Sequence, residues 1–492
     1  MHTLNSGKSP DMARIAFINP GVNYEQNLGF ARRFAVKVAP LGIAYLAAIL
    51  KARGDQVMVI DQFAEGTADE SIVSRLSTFG ADVVGFNLLT ASASRTKRIC
   101  LQIRKSLPAA KIVLGNIHAS IFHERILREG WADAIVHGEG EPLIEKIVDS
   151  FGGDGDLAEI PSLSFLQNGE VLQTPRAEQL RELDHIPFPA WDLFDLSQYQ
   201  THTILTYGKM TLPLISSRGC PWNCLFCSQN HFWKKVVLRD PALVAQEMVE
   251  NNRRYDCRHM TFHDANFPVS KKYGMELAEA IIQSGLPGKS SFVTEARMEI
   301  FDEELILTLK RAGCCALMFG IESGVERIRD TIHKGFSNEK IRRVVEICDR
   351  EKINTMGLFL IGLPGETRED FRQTAAFARS LPLDLAKFNV VVPYPGSALF
   401  NKLAAETNIQ EEDFDRIATF YSDGFSAFTV NEHMTTREID RLQKNALMRY
   451  FIRPKIVWRL LFSNVLSFGD MVVGLAALAH SVFARLFGKR KN

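Results

Sequence analysis

Three cysteines fall within eight residues in the stretch Arg218-Gly-Cys-Pro-Trp-Asn-Cys-Leu-Phe-Cys227, directly after the apolar run 212–215. Cys220, Cys224 and Cys227 thus put three thiols on one short segment, and thiolate is the favoured ligand of iron-sulfur clusters and of zinc. Residues 1–12 are polar and include Pro10, so no secretory signal is read there. The expected compartment is the reducing cytoplasm, where cysteines this dense point to a metal rather than to disulfides. Two metals compete. His231 follows Cys227 at a spacing that a zinc site of three cysteines and one histidine could use, whereas a cluster held by three cysteines leaves one iron open. The setting favours iron, because the motif heads a long alternation of strand-like and helical stretches and not a small stapled module. Cys100, Cys257, Cys314, Cys315 and Cys348 read as buried apolar residues; Cys348 shares a helical face with Ile341, Val344 and Val345.

The 492 residues are 46% hydrophobic and 23% charged, an ordinary globular composition with room for two or three domains. A net charge of +1 offers no basic stripe to nucleic acid. After residues 1–12, expected to be disordered, five apolar runs alternate with helical stretches at 14–19, 56–61, 82–89, 111–114 and 132–136. The helix over 40–53 ends at Gly54, a fitting C-cap, and Thr67 with Glu70 has the form of a capping box. This pattern predicts an α/β domain over 13–155 with a parallel, doubly wound, Rossmann-like sheet. Its ligands would lie beyond the carboxyl ends of the strands, at 19–23, 90–94, 115–118 and 137–141. Residues 156–205 read as a hairpin with a type I′ turn at Asn168-Gly169, then a proline-rich linker packed between domains.

From 206 to 430 the alternation resumes, with strands expected at 212–217, 259–263, 291–294, 316–321, 355–361 and 387–392. Six such repeats fit a partial (β/α) barrel. Asp302 can cap the helix that Gly313 ends, and Thr367 with Asp370 opens another. Barrels of this kind carry their chemistry at the C-terminal ends of the strands. Those ends are the cysteine loop, His263-Asp264-Ala-Asn266, Glu295-Ala-Arg297, Glu322-Ser-Gly324, Gly362-Leu-Pro-Gly365 and Pro393-Tyr-Pro-Gly396.

The spacing CxxxCxxC, with Phe226 just before the last cysteine, resembles the signature of the radical S-adenosylmethionine superfamily. Ahead of it, the residues Pro40-Leu-Gly-Ile-Ala-Tyr-Leu-Ala-Ala, Gly115-Asn-Ile-His and Gly138-Glu-Gly-Glu141 resemble the cobalamin-binding domain of one large subfamily, which includes anaerobic magnesium-protoporphyrin ester cyclases and hopanoid methylases. The resemblance implies a 4Fe-4S cluster on Cys220, Cys224 and Cys227. Its open iron would chelate S-adenosylmethionine and cleave it to a 5′-deoxyadenosyl radical, with electrons from a donor such as flavodoxin or ferredoxin.

The same resemblance implies cobalamin in the first domain. Residues 19–30 lack the histidine of the DxHxxG loop found in better-known cobalamin domains, so no protein imidazole is expected at cobalt. His118 and His137, at strand ends, are candidate contacts or else surface loop histidines. For S-adenosylmethionine, the family places Phe226, Gly362 and Gly365 near adenine, Glu322 and Ser323 near the ribose or methionine end, and Asp264 and Arg297 near the methionyl group. Each of these has an ordinary cap or turn role as its rival, and Asp264 departs from the Gly-Gly-Glu often seen there. The implied reaction takes hydrogen from an unactivated carbon of a small molecule and puts a methyl group in its place. Radical oxidative cyclisation or ring rearrangement is the runner-up, and a non-catalytic metal-binding sensor is the alternative from another class.

The composition changes beyond 430. Thr435 with Glu438 opens a helix stopped near Pro454. From Arg453 onward seven Lys or Arg stand against Asp470 alone, interleaved with apolar residues. A spanning helix wants about 20 apolar residues, so this helical tail over 431–492 suits a bilayer interface, and with it a lipid or isoprenoid substrate, or else packs on the barrel.

Overall fold

The computed structural model describes residues 12–22, 37–201, 209–407, 430–454 and 456. The stretch 1–11 and most of the basic tail lie outside the described residues. The first sheet contains β1 (Arg14–Asn19), β2 (Gln56–Asp61), β3 (Val83–Asn87), β4 (Lys111–Gly115), β5 (Ala134–Val136), β6 (Leu163–Gln167) and β7 (Glu170–Gln173), in the order β2-β1-β3-β4-β5-β6-β7. The first five strands are parallel. Their side chains are apolar on both faces, as a sheet covered on both sides requires. Helices Asp69–Phe79 and Ala93–Ser106 bury Ile72, Leu76, Ile99 and Ile103 against one face, and helices Leu41–Arg53 and Ile144–Gly152 bury Ile43, Ala47, Ile147 and Val148 against the other.

Two local readings differ from expectation. The hairpin has its type I′ turn, with Asn168 and Gly169 both at positive φ, 53° and 83°. It is no part of a linker, however, because β6 pairs antiparallel with β5 and extends the first sheet. Thr67 caps nothing: the helix opens at Asp69 after Ala68. Gly66, in the left-handed region, turns the chain so that the Thr67 hydroxyl donates to Glu65 at 2.9 Å.

The second sheet has β8 (Gln200–Thr201) and β9 (Lys209–Leu214) at one edge. After the short antiparallel ribbon of β10 (Ser217–Arg218) and β11 (Val237–Leu238) come β12 (His259–Phe262), β13 (Ser291–Ala296), β14 (Cys314–Glu322), β15 (Asn354–Ile361) and β16 (Leu385–Val390). The order β16-β15-β14-β13-β12-β9-β8, with six parallel strands and β8 antiparallel, is the expected partial barrel. Leu214, Phe262, Phe292, Phe319, Phe359 and Phe388 face the outer helices in the main core, so the alternate residues line the concave side. The caps read from sequence are present: Asp302 accepts from Leu305 N at 3.0 Å, and Thr367–Asp370 and Thr435–Glu438 form capping boxes. The last of these opens Thr436–Phe451, which lies along β16, with Gln443 donating to the Phe388 carbonyl at 2.7 Å and Tyr450 to that of Leu383 at 3.0 Å.

The linker is packed between the domains. Ala190 N donates to Ala44 O at 3.1 Å, Trp191 is fully buried in the barrel core, and the Tyr199 hydroxyl donates to Asp61 at 2.7 Å.

His259, first residue of β12, has Nδ1 2.9 Å from the Ser291 hydroxyl and a buried Nε2 without a partner. Burial pushes its pKa down to about 4. The unfolded chain therefore takes up this proton near pH 6.5 and the folded chain only near 4, so the stabilisation is complete above 6.5 and is lost as pH falls toward 4, by about 3 kcal/mol in all. His259→Gln should flatten the stability of the chain between pH 7 and 4.5 relative to the parent in denaturant titrations. Identical pH slopes for the two proteins would overturn this. Comparing variant with parent removes groups such as Asp264, which titrates in the opposite sense.

Candidate functional site

The cysteine loop is set by its base. Asp264, just past β12, accepts from Ser216 N (2.7 Å), Ser217 N (2.6 Å) and both serine hydroxyls (2.7 and 3.3 Å). Burial pushes its pKa up to about 6 against the pull of those donors. Both carboxylate oxygens are thus engaged in holding the chain where it leaves β9. Gly219 then turns at φ +86°, where a Cβ would collide with the Lys235 carbonyl.

Cys220, Cys224 and Cys227 follow, each half-buried. Burial raises the pKa of Cys220 and Cys227, and the charge of Cys224 adds to it. The metal-free loop therefore holds thiols there, and metal uptake would release protons. Arg297, after β13, donates from Nη1 to Cys224 Sγ at 3.0 Å, lies 4.2 Å over the Trp222 ring, and is held from behind by Glu299 at 2.9 Å. Among the described residues no three His, Cys, Asp or Glu side chains gather closely enough to cage a single ion. The cysteines are strung along the loop, and a cubane takes its ligands from separate corners. His231 packs beside Gly396 on the barrel rim.

Around this loop the barrel rim is built from β14 and β15. Glu322 ends β14 at φ +65°, after a register shift, and pairs with Lys334 at 2.6 Å. Lys334 also donates to the Gly320 carbonyl at 2.8 Å and lies 5.9 Å from the Phe226 ring. A Cβ at Gly320 would meet Lys334 Nζ at 2.6 Å and Glu322 Oε1 at 2.7 Å, so a side chain there would push both ends of this pair aside. A left-handed glutamate at a strand end is backbone strain of the kind that clusters at functional sites.

Ser323 is buried and bonds Thr374 Oγ1 at 3.0 Å and Val325 N at 3.2 Å. Gly362 and Gly365, both at positive φ, bracket a loop clamped by Glu366, which accepts from Gly362 N and Leu363 N, and by Asn431, which donates to the Leu363 and Glu366 carbonyls. Phe226 packs beside this loop with Leu360 and Leu363. The structure thus gathers Phe226, Glu322, Gly362, Gly365 and Arg297 around the cysteines, while Asp264 and Ser323 act on backbone and neighbours. Lys334, Glu366 and Asn431 were not anticipated; only Glu366, adjacent to the glycine-rich phrase, carried a signal.

In the first domain a chain of amides crosses four strand ends. Asn116 donates to Asn87 (2.7 Å), Asn87 to Asn19 (3.2 Å) and Asn19 to Asp61 (2.9 Å), where Tyr199 also donates. These polar ends suit a ligand rich in amides. His118 is buried against Thr90 (3.2 Å) and the Phe122 ring. His137 is buried with Nε2 2.7 Å from the Ser164 hydroxyl, its Nδ1 is orphaned, and burial pushes its pKa down to about 4. Neither is a surface histidine.

The two strand-end faces meet. Ile121 and Phe122 pack on Val392 and Phe400, and Ile117 reaches Gly396. Arg218, two residues before Cys220, bridges Glu139 (2.7 Å) and Glu141 of the first domain, all three nearly fully buried. Burial alone would lower the guanidinium pKa; the two carboxylates outweigh it and hold the group charged.

Comparison with known proteins accords with this arrangement. Residues 214–378 match the radical SAM superfamily and residues 29–148 the B12 binding domain. The chain is 30% identical over 430 residues to the uncharacterized methyltransferase PH0819 of Pyrococcus horikoshii, covering 86% of this chain and 90% of that protein. It is 28% identical over 403 residues to the anaerobic magnesium-protoporphyrin IX monomethyl ester cyclase of Rubrivivax gelatinosus, covering 80% and 71%. Among solved structures, the radical S-adenosylmethionine methyltransferase TsrM of Kitasatospora setae, with cobalamin and a 4Fe-4S cluster bound, superposes with a TM-score of 0.66 at 18% identity, over 80% of this chain and 75% of that one.

Proposed function

Because the chain belongs to the radical S-adenosylmethionine enzymes that carry a B12-binding domain, we propose that it replaces a hydrogen on an unactivated carbon of a small molecule with a methyl group. It is a cobalamin-dependent radical enzyme whose cofactors are a 4Fe-4S cluster, S-adenosylmethionine and cobalamin. Bound together, these supply a hydrogen-abstracting carbon radical and a transferable methyl group.

The residues of this chain bind, orient and exclude water. Cys220, Cys224 and Cys227 hold the cluster, and Arg297 keeps a positive charge against Cys224, which favours added electrons there. Phe226 with the loop from Gly362 to Gly365 would face the adenine, and the Glu322–Lys334 pair would meet the ribose or the methionine end. Asp264 serves by fixing the loop base. His118 and His137, both buried, would stand behind the corrin site. A low-potential protein such as flavodoxin or ferredoxin delivers the electrons, and the basic stretch from Arg453 rests on anionic bilayers.

What carries the reading is the Arg218 bridge to Glu139 and Glu141, which sets the strand ends of the first domain against the cysteine loop. A methyl donor held at the first face would then sit beside a cluster held at the other, and closure between the two faces would exclude water. The likeness to the ester cyclase supports oxidative cyclisation as the second reading.

The test is to purify the protein anaerobically with cobalamin, reduce it with methyl-labelled S-adenosylmethionine and candidate extracts, and follow the label. Label in an organic product is expected. Deoxyadenosine with an unlabelled, oxidised product would replace methylation by cyclisation or oxidation.

A further inference from the structure

The turn between β15 and the helix that Thr367 caps spends all its backbone donors on the protein itself. Gly362 N and Leu363 N both donate to Glu366 Oε2, at 2.7 and 3.2 Å, and Glu366 N donates to the Leu363 carbonyl at 3.1 Å. Gly365 N donates to Glu432 Oε2 at 2.9 Å, and Pro364 has no N–H to give. With every N–H from Gly362 to Glu366 taken, this loop meets a ligand through its shape and its carbonyls. Its shape is therefore what the fold must hold.

Much of that hold comes from beyond the barrel. Asn431 is buried, and its Nδ2 donates to the Leu363 carbonyl at 2.6 Å and to the Glu366 carbonyl at 2.8 Å, residues 68 and 65 positions away. Its Oδ1 accepts from His433 N at 2.9 Å and Met434 N at 2.7 Å. One side chain thus closes a turn in its own segment and staples that segment to the loop. Ile439, on the helix that follows, lies against Gly362, where a Cβ would stand 3.0 Å from its Cδ1. Val430 packs on the apolar cluster that contains Leu363 and also receives Leu225 and Phe226 of the cysteine loop.

Resting on the enzyme reading above, we infer that Asn431 and Glu432 are positioning residues for S-adenosylmethionine. They hold the loop from Gly362 to Gly365 in the shape that receives the adenine, so a segment beyond the barrel completes the cofactor site. A loop ordered in advance spares the cofactor the entropy of ordering it on binding. The linkage is reciprocal: bound cofactor fastens residues 430–439 to the loop as strongly as they assist its binding. Both residues act through the loop backbone and not by touching the purine.

The test uses the full-length protein, anaerobically reconstituted and left unreduced so that the cofactor is not consumed. Dissociation constants for labelled S-adenosylmethionine come from equilibrium dialysis, scored per cluster from the iron content of each sample. Asn431→Asp keeps an oxygen for His433 N and Met434 N and loses the donor to the loop, so it separates the staple from the turn. It should weaken binding about tenfold, and Glu432→Ala about fivefold, the worth of roughly one net hydrogen bond each. Glu432→Gln, which keeps an acceptor for Gly365 N, should restore the parent affinity. After reduction, the Asn431→Asp loss should appear in KM for S-adenosylmethionine and leave kcat for deoxyadenosine formation within about twofold, as loss of uniform binding requires. Tyr450→Phe removes the bond to the Leu383 carbonyl at the far end of the same helix; it should lower the unfolding midpoint and leave the affinity unchanged.

In the parent protein, added S-adenosylmethionine should slow hydrogen exchange at Gly365 N, His433 N and Met434 N. Unchanged exchange at these amides would overturn the inference with no variant needed. Equal affinity in the parent, Asn431→Asp and Glu432→Ala proteins would overturn it too, as would a Tyr450→Phe protein as weak as Asn431→Asp, which would make the effect a general loosening. A parent protein that binds no S-adenosylmethionine removes the enzyme reading and this role with it, whereas a parent that binds beside unaffected variants removes the positioning role alone.

Discussion

Cys224→Ala is expected to bring iron and sulfide from about four per chain to background in anaerobic preparations and to abolish formation of deoxyadenosine from S-adenosylmethionine. Cys220→Ala and Cys227→Ala should do the same. The cluster depends on three sulfurs with one iron already open, so a second missing ligand leaves it exposed to loss. The arrangement around Cys224 sharpens the expectation, because Arg297 lies 3.0 Å from its sulfur and is stacked on Trp222; the alanine variant removes the cation's contact on the cluster side and leaves it only Glu299. Cobalamin uptake, which belongs to the other sheet, should survive in all three variants. A Cys224→Ala protein that keeps its iron and still cleaves the sulfonium would refute the ligand assignment, and a parent protein that binds zinc in place of iron would favour a sensor.

Arg218→Ala should be the most destabilising single substitution at the domain interface. It leaves the Glu139 and Glu141 carboxylates buried without their cation, and breaking a buried ion pair from one side costs roughly 3–5 kcal/mol. Leu180 N still donates to Glu139 at 2.7 Å, which tempers the loss at that carboxylate. The control is the triple variant Arg218→Met, Glu139→Gln, Glu141→Gln. It removes all three charges together and should recover most of the stability in thermal or denaturant unfolding, while methyl transfer stays impaired. A single Arg218→Ala variant within about 1 kcal/mol of the parent, the range of an exposed pair, would show that the bridge is not buried in solution.

The two-domain design was legible before any coordinates because periodicity and capping residues report on local structure. All six barrel strands fall within a few residues of the expected runs, and Thr367–Asp370 and Thr435–Glu438 cap as read. The misreadings came where tertiary contact decides. Thr67 has capping chemistry in sequence, but the turn at Gly66 sends its hydroxyl elsewhere. The strands β6 and β7 form the hairpin as expected, yet nothing local tells that β5 will accept them as neighbours. The same holds at the site. The cysteines, Phe226 and the glycine-rich turns announce themselves by spacing. Lys334 with Glu322, and Arg218 with Glu139 and Glu141, are joined only through the fold, by side chains 12 to 79 positions apart. Asp264 shows the converse: its place at a strand end was correct, and what it touches could be learned only from Ser216 and Ser217.

The segment from Leu183 to Tyr199 also bears on exchange of parts between relatives. Its backbone bonds to helix Leu41–Arg53, its indole at Trp191 fills the barrel core, and its phenol at Tyr199 closes the amide chain of the first sheet. A chimera cut anywhere inside this strip would inherit mismatched halves of both interiors. Grafts that move one half between relatives should therefore fold only when the strip travels with whichever half supplied Ala44 and Asp61, and when the incoming barrel offers a cavity shaped for its tryptophan.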